Sequence, residues 1–129
     1  MLRYLILVSS LVAILVAHSV AVENGYYNTF WWLDNVLHAA GGAWVAHFAL
    51  IVFGARSRAQ IVLFVFLCGG AWEILEFFLN TPFFGVNEAN IRDPIWLLDT
   101  LTDLTVDVVA GFLFSLLIIS KSGYNKTDV

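Results

Sequence analysis

Charge is what this chain lacks. Only 12% of its 129 residues are charged and 60% are hydrophobic, whereas an ordinary soluble domain carries about 25% charged residues. Mean hydropathy is +0.85. So few polar side chains cannot cover a core in water, which excludes a soluble enzyme. The six Lys and Arg residues are scattered; they form no cationic patch, and no nucleic-acid partner is expected. Cysteine is nearly missing as well. Cys68 stands alone, so no internal disulfide forms, and a small packing role is its ordinary use. Internal repeats, Gly-rich phosphate loops, HExxH, GxSxG and CxxC patterns are absent too. The length suits one integral membrane domain over 1–129.

What is present is long and apolar. Stretches at about 4–22, 33–53, 61–79 and 98–120 are each near the roughly 20 helical residues that cross about 30 Å of hydrocarbon. The expected fold is all-α, a four-helix transmembrane bundle. Arg3, Arg56, Arg58, Lys121 and Lys126 fall on one side of these spans and Arg92 alone on the other. Basic residues stay inside, so both termini are expected in the cytoplasm of a bacterial inner membrane protein. An alternative remains for the first span. Ser19-Val20-Ala21 resembles a signal-cleavage site, and removal of residues 1–21 would leave three spans in the same orientation. The outer loop at 80–97 carries Phe83, Phe84, Ile91, Ile95 and Trp96. It is too apolar for disorder and reads as an interfacial flap or a passive anchor.

The acids converge on one depth. Asp34 and His38 open the second span, Glu73 and Glu76 close the third, and Asp99, Asp103 and Asp107 open the fourth. All therefore fall in the outer half of the bilayer, with Asp107 about 12 Å deeper than Asp99. They also share faces. Asp34 and His38 lie on a stripe that continues into Gly41 and Gly42, Glu73 and Glu76 on one with Gly69 and Gly70, and the three aspartates on one leading to Gly111. Glycine lets helix backbones approach, so the three stripes are expected to face one another. A carboxylate near the bilayer centre costs about 2.5–3.5 kcal/mol, yet no span interior holds Lys or Arg. Several close carboxylates cannot all stay ionised unaided. Either protons or a divalent metal ion must neutralise them, and oxygen-rich ligation with one imidazole suits Mg, Mn, Fe or Zn. The expected ligands are His38, Glu73 and Asp103, with Asp107 and Glu76 as further ligands or as the catalytic base. Asp34 and Asp99 serve as outer ligands or as helix-start acids that complement the dipole.

Trp31-Trp32-Leu33-Asp34-Asn35-Val36-Leu37-His38 resembles the D-x-x-x-H helix of two families of small bacterial membrane proteins, the YjdF type and, more distantly, the VanZ-like family. Trp72-Glu73-Ile74-Leu75-Glu76, and Asp99-Thr100 through Asp103 and Asp107 to Gly111, are closer to the YjdF type. The VanZ-like pattern has Gln where Glu76 stands and an Arg before the last helix, for which Arg92 is the candidate. The resemblance implies a helical bundle with a polar centre, and no reaction.

The remaining histidines leave the main face. His47, nine positions after His38, is about 180° around the helix. His18, near the outer end of the first span, is either an additional nitrogen ligand or an interface residue. Three functions follow. The first is a metal-binding membrane protein, plausibly an enzyme on a lipid or lipid-linked substrate near the outer leaflet, where metal and Glu would share the chemistry. The second is an accessory or structural subunit, its polar stripes met by partner membrane subunits or by a homo-oligomer. The third is cation or proton passage.

Overall fold

The computed structural model describes residues 1–55, 57–80 and 94–121, and among them every regular element is a helix. In chain order these are α1 (Leu2–Glu23), α2 (Tyr26–Thr29), α3 (Leu33–Ile51), α4 (Arg58–Asn80) and α5 (Pro94–Lys121). The four long helices cover the four apolar stretches to within a few residues. Three segments, Leu2–Glu23, Arg58–Phe78 and Leu97–Ile118, are long and apolar enough to cross a membrane. The third helix, α3, falls short of that apolarity because it carries Asp34, Asn35 and His38 among alanines and glycines. It compensates by position: α3 packs against α1, α4 and α5, and α5 packs in turn on α4.

Local chemistry explains where the helices begin and end. Asn24 closes α1 by turning its side-chain amide to the Val20 carbonyl at 2.8 Å, and Gly25 follows at φ +66°. The Ser57 hydroxyl accepts from the Gln60 amide at 3.2 Å, and the Gln60 side chain accepts from the Ser57 amide at 3.1 Å. That reciprocal pair is a capping box at the start of α4. Within the helices, hydroxyls are satisfied by their own backbone. Ser10 reaches Ile6, Thr102 reaches Leu98 and Thr105 reaches Leu101, at 2.6–2.8 Å. These polar side chains therefore mark no aqueous path and suit an apolar surround.

The exterior is greasy. Leu5, Val12, Leu63, Leu67, Leu113 and Leu117 all point outward on three different helices, a surface that water would not tolerate and lipid would. The apolar core lies toward one end, where Ala46, Ile61 and Val65 are fully buried against Val108 and Phe114. α1 is held at the periphery; only its Leu7 and Ala21 are buried. The indole N–H of Trp44 donates to the Leu7 carbonyl at 2.8 Å and fastens α1 to α3. The flap reading of 80–97 and the Arg92 reading fall largely or wholly on 81–93, outside the described residues, as do Arg56 and the tail from 122.

Candidate metal centre

Every element of the cluster is delivered by helix geometry. His38 sits in the second turn of α3, one turn after Asp34; Glu73 and Glu76 lie in the last turns of α4; Asp103 and Asp107 lie one turn apart in α5. The helices place them around one imidazole. His38 Nε2 lies 3.8 Å from Asp34 Oδ1, 3.8 Å from Glu73 Oε1 and 3.9 Å from Asp103 Oδ2. These separations are too long for hydrogen bonds. They match the spacing of ligand atoms around a shared ion, because bonds of about 2.0–2.2 Å set neighbouring ligands about 3–4 Å apart. The other ring nitrogen is engaged differently: Nδ1 is 3.4 Å from Asp107 Oδ2 and hydrogen-bonds to it.

Burial makes the arrangement costly. His38, Glu73, Asp103 and Asp107 retain 8, 8, 4 and 5% of their exposure. Thr100 hydrogen-bonds to the Glu73 carboxylate, yet Glu73 Oε1, the atom aimed at His38, is buried with no hydrogen-bond partner among the described residues. An unsatisfied buried polar atom ordinarily costs about 1–3 kcal/mol, more if charged. Two groups of side chains could hold a metal ion, Asp34 with His38 and Asp103, and His38 with Glu73 and Glu76; within each group the ligand atoms lie within 4.8 Å of one another. The groups share His38.

The glycine stripes explain how three acidic helices come so close. A Cβ on Gly42 would lie 2.7 Å from the Asp107 Cα, and one on Gly69 would lie 2.6 Å from Asp107 Oδ2. A Cβ on Gly111 would strike Val65 at 2.7 Å. Asp107 is thus seated against bare backbone from α3 and α4. Gly70 is different from the expectation: nothing lies within 4 Å of its notional Cβ. It is one residue on from Gly69, about 100° around the helix, and so looks away from the contact.

Beside the cluster is a cavity of about 220 Å³, walled mainly by α1, α3 and α4, with Tyr27 of α2 and Asp107 of α5. His18, Tyr27 and Glu76 line its polar end. His18 Nδ1 is 2.7 Å from the Tyr27 hydroxyl, and the imidazole sits edge-on to Trp72 with centroids 5.6 Å apart. Burial first, and then the negative charges of Asp34 and Glu76, push the Tyr27 phenol up to about 12, so it stays neutral.

The chain matches, over residues 3–122, the family described as predicted membrane protein (DUF2238). It belongs to that family. The DUF2238 match takes in the histidine and every acid of the cluster. No curated protein and no solved structure matches the chain.

In this DUF2238 member the residues singled out in the sequence take different places. His38, Glu73, Asp103, Asp34 and Glu76 are brought together. Asp107 contacts the far nitrogen of His38 and belongs to neither of the two metal-holding groups. Asp99 is exposed at the start of α5 and also stands outside both. His18 faces the cavity and bonds Tyr27, and is not among the ligand groups. His47 packs on Phe114, with centroids 5.5 Å apart, away from the acids. Sequence reasoning missed Tyr27, which it grouped with the outward aromatics, and Thr100. Nothing local marks either one, since each owes its role to a partner on another helix.

Proposed function

We propose that this protein is a multi-pass inner membrane protein with a divalent-cation centre, acting on a lipid or lipid-linked substrate. The observation that carries this reading is the orphaned Glu73 Oε1, buried and 3.8 Å from His38 Nε2. An Nδ1–H donated to Asp107 leaves the Nε2 lone pair facing three carboxylate oxygens. Protons or a divalent ion would make that arrangement favourable, and the unmet Glu73 oxygen supports the ion. Carboxylate–histidine–metal chains orient their imidazoles in the same way, so Asp107 is the positioning partner of His38. His38, Glu73, Asp103 and Asp34 are the proposed ligands. Glu76, half-buried at the cavity edge, is placed to hold or release a proton. A bound divalent ion would supply Lewis acidity toward an ester or phosphoryl oxygen, or a more acidic water.

The reading includes a four-helix bundle in which α3 crosses the bilayer shielded by its neighbours, with both termini cytoplasmic. The grouping of the basic residues supports that orientation. The likeness to the YjdF type supports the same polar-centred bundle. Reporter fusions after Arg58 and after Lys121 are expected to read cytoplasmic, and one after Asn87 exterior. An exterior signal at Arg58 would invert the assignment.

Elemental analysis of the purified protein is expected to find about one divalent ion per cluster. An ion at about 100 times its dissociation constant stabilises by roughly 2.7 kcal/mol. Chelator should therefore lower the melting temperature of the wild type, and Mn²⁺ or Zn²⁺ should restore it. The Glu73→Gln, Asp103→Asn variant should ignore both. A wild type indifferent to chelator and metal, beside an amide variant that melts lower, would mean that protons hold the cluster.

A further inference from the structure

The cavity beside the cluster has a built-in polarity. Its polar end is formed by His18, Tyr27, Asp34 and Glu76, and its deep end by Leu11, Trp44, Val45 and Val65. The eleven steps from Asp34 to Val45 set a length of about 16 Å along α3 at 1.5 Å per residue. On the scale by which a cavity of about 150 Å³ takes benzene, its 220 Å³ admits about nine non-hydrogen atoms, so the head and the first half of a longer chain enter it. That shape excludes a two-chain phospholipid and suits a single chain.

Two further observations say what enters and how. Among the described residues no Lys or Arg lines the cavity, while three acids, Asp34, Glu76 and Asp107, and two imidazoles, His18 and His38, do. The acids outnumber the imidazoles there and disfavour an anionic head, whereas a hydroxyl can donate to a carboxylate and a hydroxyl or ester oxygen can accept from the neutral Tyr27 phenol. In addition, the walls α1 and α4 make no extensive contact among the described residues; they meet through the His18 and Trp72 rings. A seam so thinly closed is the side from which a chain would enter.

We infer that this cavity binds the chain of a single-chain lipid with an uncharged hydroxyl or ester head, its head at Tyr27 and Glu76 and its tail beside Trp44 and Cys68. This names the substrate class for the proposed function and rests on that reading for its chemistry, but not for binding itself.

A palmityl alcohol carrying a photoactivatable diazirine in the chain is the probe. Irradiated with the full-length protein in nonionic micelles, it is expected to leave adducts on Leu15, Trp44, Cys68 and Trp72. Unlabelled palmityl alcohol in tenfold excess should reduce them several-fold. The Cys68→Phe and Leu15→Trp variants fill the cavity from opposite walls, and each should lose these adducts while keeping wild-type helical circular dichroism. The diazirine analogue of palmitic acid should label several-fold less at neutral pH. Adducts spread over the outward-facing Leu63, Phe66 and Leu67 would overturn the inference, as would equal labelling by the acid. The Glu73→Gln, Asp103→Asn variant separates the two proposals. Labelling that persists there without bound metal keeps the lipid site and removes the metal; metal without cavity labelling does the reverse.

Discussion

Gly42→Ala is expected to destabilise this protein by about 3 kcal/mol, in the upper part of the range for overpacking a tight interior. The added methyl would meet the backbone of Asp107, 2.7 Å from its Cα. Backbone cannot rotate aside as a side chain can, so α3 and α5 must separate. Separation would also carry Asp107 away from His38 Nδ1 and Asp103 away from Nε2. Unfolding in mixed micelles measures the loss, and metal content should fall with it. Gly70→Ala is the control. Its Cβ would meet nothing within 4 Å, so the change should stay within about 0.5 kcal/mol of wild type. Equal tolerance of both substitutions would mean that the helices do not approach as described.

His38→Leu carries the second large effect. Four carboxylates, Asp34, Glu73, Asp103 and Asp107, have an oxygen within 4 Å of this one ring. Removing the ring and both its nitrogens leaves these acids without their shared partner, and breaking a buried pair in this way costs about 3–5 kcal/mol. The more telling result is non-additive. Adding Glu73→Gln and Asp103→Asn to His38→Leu should raise stability above that of the single variant, because the amides no longer repel. Independent sites would simply accumulate losses. A triple variant less stable than His38→Leu would show that the carboxylates are held by contacts that do not involve the imidazole.

Much of this was legible in residue spacing. The four-residue intervals Asp34–His38 and Asp103–Asp107 fix a face on any helix, and apolar length fixes where the helices run. Gly42, Gly69 and Gly111 could be read as contact points for the same reason. Depth also worked, because acids at matching ends of antiparallel helices must lie level. Which nitrogen of His38 meets which acid depends on helix rotation, and spacing does not set that to better than one residue. Gly70 shows the limit: adjacent to Gly69, it is turned about 100° away from the contact. Tyr27 and Thr100 were invisible because their roles arise only when a short turn helix, or a neighbouring span, arrives beside them. The cavity had no signal at all, since it is made by what α1 and α4 fail to touch.

The packing below Asp107 bears on how the cluster exchanges with its surroundings. There, Gly111, Val65, Ile61 and Ala46 close the interior, and the hydroxyl of fully buried Ser115 is turned back onto the Phe112 carbonyl at 2.7 Å. The imidazole of His47 in that layer packs on Phe114, with centroids 5.5 Å apart, on the side of α3 away from the acids. The proposed centre would therefore equilibrate as a blind well, filled and emptied from one compartment only. Its occupancy should follow the ion and proton concentrations on that side and stay indifferent to those on the other, however steep the gradient across the membrane.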